Sequence, residues 1–179
     1  MSDLILALLS ILNTLGFPLC PPDMAPAGLA CMDQYEAPNR YGHNPMIMKS
    51  AEDGERWCKT KGKRLCTEDE WDTACLMSGT VCHNNKQWLP WDKKTANSPS
   101  EVKRLWQGSP SGMYKTCRTP AGVYDLTGNV EEWVKSREGR DWPYTLKGGW
   151  WAKKTGCLKS NDAHPPHFRF YETGFRCCL

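Results

Sequence analysis

The residues with the widest chemical scope in this 179-residue chain are its ten cysteines. They could bind a metal, exchange disulfides or cross-link the fold. No Cys-x-x-Cys pair occurs, which argues against a zinc ribbon and a thioredoxin-type motif. An even number of cysteines predicts structural disulfides and therefore an oxidising compartment. We expect a disulfide at each of Cys20, Cys31, Cys58, Cys66, Cys75, Cys82, Cys117, Cys157, Cys177 and Cys178.

The spacing of some cysteines restricts their pairing. Cys177 and Cys178 are adjacent, so a bond between them would be strained. On a strand their side chains leave on opposite faces, which predicts two different partners, with Cys157 a candidate for one of them. Cys20 and Cys31 bracket a Pro-rich stretch and predict a hairpin closed by one disulfide. The remaining pairings stay open.

Other side chains could bind a ligand or a metal. His164 and His167 have a spacing that shares one face of a helix, but the two prolines between them exclude a regular helix and argue against a metal site with Cys157. Residues 153–171 mix cations, amides and aromatic rings, a combination suited to recognising sugars or peptides. The candidate ligand-binding residues are Trp151, Lys153, Asn161, His164 and Tyr171.

Charge and composition limit the classes of function. Twenty-three Lys and Arg against 20 Asp and Glu give a net charge of +3, and the two signs are mixed along the chain. This pattern argues against dedicated nucleic-acid binding. Nine Trp and 13 Pro with 40% apolar residues predict an aromatic-cored, loop-rich fold, and the length predicts one domain.

Residues 1–19 form an apolar N-terminal segment ahead of a single domain over residues 20–179. Its run Leu4–Leu12 has the length of a signal-peptide core and is shorter than the roughly 20 residues that cross a bilayer. The segment either directs export or is retained as a helix that docks on the domain or on a second copy. We expect a secreted, periplasmic or cell-surface protein that contacts a membrane only through this segment, if it is uncleaved.

Capping boxes predict two helices. Ser50 and Asp53 begin one that runs to about Lys61, and Thr67 and Glu70 begin the other, with Trp71 on its apolar stripe. Residues 78–119 have no sustained period and predict a segment that is mainly irregular loop. Short strands are predicted at Gly122–Leu126, Glu132–Val134, Leu146–Trp151 and Phe168–Cys178. Helices early and strands late predict an α+β fold.

Three stretches together resemble one known family. Gly62–Trp71, Gly122–Trp133, and Gly148–Trp150 with Gly174–Cys177 are similar to the sulfatase-modifying factor, or formylglycine-generating enzyme, family. Asp33–Asn39 resembles the opening motif of that domain. The resemblance covers about Cys20 to Leu179. It implies a variant of the C-type lectin fold with two short helices, a small twisted antiparallel sheet and many ordered loops.

The resemblance also implies where an active site would lie. The family's oxidase holds copper with two cysteines separated by four residues after its Gly-Gly motif, because soft thiolates select Cu(I). Counting from Gly148 and Gly149, these positions hold Lys153 and Leu158. The family's calcium-binding asparagine is also replaced ahead of Gly122. Copper is therefore not expected, and Asp125 and Glu131 are the candidates for calcium.

These departures favour a non-catalytic, lectin-like module that acts by binding or assembly. Its expected partner is a glycan, a peptide or a protein, or a second copy of the chain. The family resemblance implies that the strand after Gly148 and Gly149 leads into the core with Trp150 pointing inward. Strand alternation then predicts that Trp151 lies on the opposite face, the ligand surface, with Tyr171. One alternative is a cysteine oxidase or related oxygenase with a rearranged site formed by Cys157, Cys177 and Cys178. Another is a structural subunit that assembles through its N-terminal segment.

Overall fold

The two helices predicted from capping boxes are present in a computed structural model that describes residues 18–78 and 86–179. Helix α1, Ala51–Thr60, begins after Ser50, and helix α2, Glu68–Met77, begins after Thr67. In each box the hydroxyl accepts from the backbone N–H three residues on, and the acid there accepts from the capping residue's N–H. Each box therefore satisfies two backbone donors at the start of its helix.

A third helix lies within the segment that the sequence predicts to be mainly irregular loop, and no signal in the sequence predicts it. Helix α3, Pro99–Leu105, begins after Ser98, whose hydroxyl accepts from the Glu101 N–H. Pro99 fixes its own φ in the helical range at a position whose N–H needs no intrahelical partner. With only seven residues, the helix is too short to produce a readable apolar period.

The strands are short and form three small sheets within the described residues. The strands are β1 Met24–Ala27, β2 Ala30–Asp33, β3 Arg64–Leu65, β4 Glu131–Lys135, β5 Tyr144–Lys147, β6 Gly149–Trp150, β7 Lys153–Lys154, β8 Ser160–Asn161, β9 Thr173–Phe175 and β10 Cys177–Cys178. Their orders are β1-β2-β10-β3, β8-β5-β4-β9 and β6-β7. Strand β9 runs parallel to β4, which departs from the expected small antiparallel sheet, whereas the other strand pairings of the described residues are antiparallel. The predicted strand Gly122–Leu126 forms only an isolated bridge at Tyr124.

The end of the chain connects the two larger sheets. Strand β9 pairs with β4, and β10 pairs with β2 and β3. Between them, the fully buried Arg176 donates to both carboxylate oxygens of Glu132, at 2.6 and 2.8 Å. Glu132 also accepts from the indole N–H of Trp71 at 2.9 Å. This bidentate pair therefore joins the last strands to α2 and β4.

Disulfides fasten these elements. The bonds are Cys20–Cys31, Cys58–Cys177, Cys66–Cys178 and Cys75–Cys157, and Cys117 is also disulfide-bonded. The hairpin closed by the first bond is confirmed. Cys177 and Cys178 have different partners, as predicted, but neither is bonded to Cys157. Cys177 is bonded to Cys58 of α1, and Cys178 is bonded to Cys66 just after β3. Cys157 is bonded instead to Cys75 of α2. Cys82 lies outside the described residues, as does the apolar run Leu4–Leu12.

The motif residues are buried parts of the fold. Trp71 and Trp133 are fully buried, in two different apolar clusters of the core. Asn129 is buried in the turn before β4 with a φ of 55°, a conformation that asparagine tolerates better than most residues. None of the described helices has the length and apolar composition that a bilayer crossing requires.

We predict that Trp71→Ala costs much more stability than Thr67→Ala. Losing the Thr67 cap should lower the free energy of unfolding by about 1 kcal/mol. Losing the Trp71 ring leaves a core cavity and should cost about 3–5 kcal/mol. Urea unfolding followed by tryptophan fluorescence and circular dichroism measures both values. Small and equal losses in the two variants would contradict this packing.

Candidate functional site

The segment after Gly149 forms a hairpin held by a disulfide. Strands β6 and β7 pair, and Cys157 beyond them is bonded to Cys75 of α2. The two positions expected to bind copper hold Lys153, whose ammonium lies 4.0 Å from Glu131 Oε1, and Leu158, which is 64% exposed. An ammonium group and an aliphatic chain offer Cu(I) no soft donor. These residues do not fit a two-sulfur copper site.

The alternative site of Cys157, Cys177 and Cys178 is not formed. Each of these sulfurs is bonded to a different cysteine, and Cys177 and Cys178 are buried. The thiolate is the form of cysteine that attacks a substrate or binds a metal, and a disulfide supplies none. The prediction fails because β10 is paired on both sides, which directs its two side chains to α1 and to the end of β3.

The predicted exposure of Trp151 and Tyr171 is wrong. Their exposed fractions are 1% and 2%, and they pack together in the core cluster that contains Leu105. Trp151 lies in the two-residue turn between β6 and β7, so strand alternation does not set its direction. Trp150, expected to point inward, is the less buried of the two tryptophans, and the Lys153 ammonium lies 5.2 Å from its ring centre.

A cavity of about 220 Å³ lies beside this hairpin. We call it the Glu131 pocket. It brings together two of the five predicted ligand-binding residues, Lys153 and Asn161, and one calcium candidate, Glu131. His164 is not part of its wall and stacks on Phe168 with the ring centres 3.7 Å apart. The lining residues are Glu131, Leu146, Gly148, Gly149, Lys153, Thr155, Lys159, Ser160 and Asn161.

Glu131 is the buried charge of this pocket. Its side chain is 3% exposed, and its two oxygens accept from the Asn161 amide at 3.4 and 3.1 Å. Burial raises the pKa of Glu131, while the Lys153 charge and the Asn161 hydrogen bond lower it. Burial and the charge of Glu131 raise the pKa of neighbouring Glu172 to about 8. Glu131 therefore has a buried carboxyl neighbour, Glu172, which does not line the pocket, and the ionised forms of both groups are poorly compensated.

Comparison with known proteins identifies the family. Residues 28–179 match the family model of the sulfatase-modifying factor enzyme 1-like domain. The chain belongs to this family. It is 28% identical over 160 residues to the inactive C-alpha-formylglycine-generating enzyme 2 of Bos taurus, covering 74% of this chain and 49% of that protein. It is 29% identical over 105 residues to the formylglycine-generating enzyme of Mus musculus, covering 51% and 27%. This family member thus spans about half of these relatives' length or less.

Solved structures confirm the predicted C-type-lectin-like fold of this family domain. The I1 variant of the major tropism determinant aligns with a TM-score of 0.61 and 13% identity, covering 92% of this chain and 55% of that one. PvdO from Pseudomonas aeruginosa aligns with a TM-score of 0.51 and 20% identity, covering 96% and 75%. At such identities the likeness concerns the fold alone.

The calcium candidates of this family member do not share a site. Asp125 accepts from the Gly112 N–H at 2.6 Å and does not line the Glu131 pocket. Among residues 18–78 and 86–179, no group of three or more His, Cys, Asp or Glu side chains is arranged to hold a metal ion. His164, His167 and Cys157 therefore do not form a metal site among these residues either.

Sequence reasoning missed the polar residues that complete the pocket of this domain. Ser160 lies on β8, where its hydroxyl donates to Glu68 and accepts from Lys147. The Thr155 hydroxyl, which also lines the pocket, is buried without a hydrogen-bond partner among the described residues. No motif marks Ser160, because the pairing of β8 with β5 brings it to the cavity.

A second group of buried acids surrounds Arg176 in the core. Glu36 is fully buried and accepts from the Asn129 amide at 2.8 Å. Burial and the nearby Asp125 charge raise the pKa of Glu36 from its ordinary 4.5 to about 8. Burial raises the pKa of Asp125 to about 6. Near pH 6, Glu36 is therefore protonated in the folded protein and ionised in the unfolded chain.

We predict that Glu36→Gln flattens the dependence of stability on pH. Because the folded pKa of Glu36 is raised, its contribution is fully present below pH 4.5 and is lost as pH rises towards about 8. The loss amounts to at most about 1.4 kcal/mol per pH unit. Glutamine keeps an oxygen that accepts from Asn129 and carries no charge. Urea unfolding between pH 5 and pH 8 compares the two slopes, and identical slopes would contradict the assignment.

Proposed function

We propose that this chain is a non-catalytic binding module of the sulfatase-modifying factor family that works in an oxidising compartment outside the cytoplasm. The observation that carries the proposal is the bond of Cys157, the cysteine nearest to the expected copper positions, to Cys75. With Lys153 at the first position and Leu158 at the second, the segment offers no thiolate to copper or to a substrate cysteine. The similarity to a relative whose name describes it as inactive supports this proposal.

The disulfides support the proposed location. Four bonds join described cysteines, and two of them link residues more than 110 positions apart, Cys58 with Cys177 and Cys66 with Cys178. Such bonds persist in secreted, periplasmic and cell-surface proteins and are reduced in most cytosols. A fold fastened in this way suits an extracellular or periplasmic module.

The Glu131 pocket is the proposed place of ligand binding. Its volume of about 220 Å³ is larger than that of an engineered cavity of about 150 Å³ that binds benzene. Its wall combines a carboxylate, an amide, hydroxyls and the backbone of Gly148 and Gly149. Small-molecule sites commonly have such a concave shape with a few convergent polar groups. This cavity replaces the surface around Trp151 and Tyr171 as the candidate recognition site.

The absence of oxidase activity is the first test of the proposal. The unreduced protein, supplied with Cu(I) and a cysteine-containing peptide in air, should leave the peptide mass unchanged because no thiolate pair is present to bind the copper. Mass spectrometry of the peptide measures the outcome. An active oxidase of the family serves as the positive control. Conversion of the cysteine to an aldehyde by this chain would overturn the proposal.

A further inference from the structure

We propose that the Glu131 pocket binds a small free α-amino acid, with the ligand's ammonium group at Glu131 and its carboxylate at Lys159. The inference rests on the proposed function, because it names the ligand class of that same pocket. Its basis is that several charged and polar groups lining the cavity lack the partners that buried or charged groups usually have.

Glu131 is buried but incompletely paired. The side chain is 3% exposed, yet its oxygens accept only from one amide group, that of Asn161, at 3.4 and 3.1 Å. The nearest cation is the Lys153 ammonium at 4.0 Å, the outer limit of an ion pair. Buried charges in proteins are normally paired and closely hydrogen-bonded. Glu131 therefore lacks a close cationic donor on its pocket side.

The pocket wall offers hydrogen-bond acceptors for a cationic group that would pair with Glu131. An ammonium group has three N–H donors and needs several acceptors. Besides Glu131, the pocket wall contains Thr155, whose hydroxyl oxygen is buried without a hydrogen-bond partner among the described residues. These groups suit a primary ammonium ion.

Two lysines, Lys153 and Lys159, supply positive charge to the pocket. Lys159 lines the cavity, is exposed and forms no ion pair with the described residues. Lys153, at the same rim, is shared between Glu131 and the Trp150 ring. An anionic group next to a bound ammonium would be attracted to Lys159. A carboxylate one carbon away from the ammonium gives the ligand this arrangement.

Other occupants fit the charges less well. A neutral sugar could use the hydroxyls and the amide, but it would leave the charge of Glu131 uncompensated. A bare divalent cation would be repelled by Lys153 and Lys159 and carries no anionic group to offset that repulsion, whereas a zwitterion pairs its carboxylate with Lys159. The volume of about 220 Å³ accommodates a small amino acid. These considerations select a zwitterion over a polyol or a metal ion.

Calorimetry and NMR titration test the inference with defined probes. Glycine, L-alanine, L-serine and L-threonine are titrated into the unreduced protein, together with N-acetyl-L-alanine, L-alanine amide and methyl β-D-glucopyranoside. At least one free amino acid should bind and shift the amide resonances of β7 and β8. N-acetylation, which removes the ammonium, should abolish binding. L-alanine amide, which lacks the carboxylate, should bind more weakly than L-alanine.

Variants locate the contacts. Glu131→Gln keeps the shape of the side chain and removes its charge, and it should weaken amino-acid binding by at least about tenfold. Thr155→Val removes one acceptor of the ammonium and provides a second test if Glu131→Gln fails to fold. Lys159→Ala should weaken the binding of the amino acid and leave that of the amide unchanged. Glu138→Gln, at an exposed position, is the matched control for charge and should bind like the wild type.

Several outcomes would overturn the inference. These are the absence of binding by all four amino acids at 10 mM, equal binding of the N-acetylated probe, and unchanged affinity in Glu131→Gln and Thr155→Val. Binding of the glucoside alone, with shifts at Asn161, would refute the amino-acid ligand and leave the proposed binding module intact. Formation of an aldehyde from a peptide cysteine, in contrast, would refute the proposed function itself.

Discussion

The structure depends on how the six residues Thr173–Cys178, just before the C-terminal Leu179, are fixed in the centre of the molecule. Strand β9 lies in one sheet and β10 in another, and the buried Arg176 between them is paired with Glu132. The bonds to Cys58 and Cys66 then fasten this segment to α1 and to the end of β3. Separating Arg176 from Glu132 would leave a buried charge uncompensated, which is strongly unfavourable. The pair therefore keeps the two sheets together, and Glu132 also holds the Trp71 ring by its hydrogen bond.

This arrangement decides what the cysteines can do. The sulfurs of Cys177 and Cys178 are used in the core, and Cys157 is used to attach the segment beyond β7 to α2. The attachment positions Lys153, Thr155 and Lys159 around Glu131 at the place where the family resemblance locates chemistry. A polar pocket with one buried carboxylate stands there, which suits binding of a charged small molecule better than chemistry of a soft metal.

Local signals predicted the local structure well. The boxes at Ser50 and Thr67 specify their own helix starts, and the short loop between Cys20 and Cys31 predicts its own bond. The resemblance of the motifs predicted the fold. The exposure of Trp151 could not be predicted by alternation, because this residue lies in a turn and not on a strand. The bond of Cys157 and the pocket around Glu131 depend on strand pairings between distant segments, which no local pattern of residues encodes.

Alkylation of the denatured but unreduced protein, followed by peptide mass mapping, tests most directly whether the cysteines cross-link the fold or remain free for chemistry. We expect no alkyl group on the nine described cysteines and the peptide pairs Cys75–Cys157, Cys58–Cys177 and Cys66–Cys178. A second sample, reduced before alkylation, should carry the label on all ten cysteines of the chain. Alkylation of Cys157 together with Cys177 or Cys178 in the unreduced sample would contradict a structural role and restore the thiols that an oxidase requires.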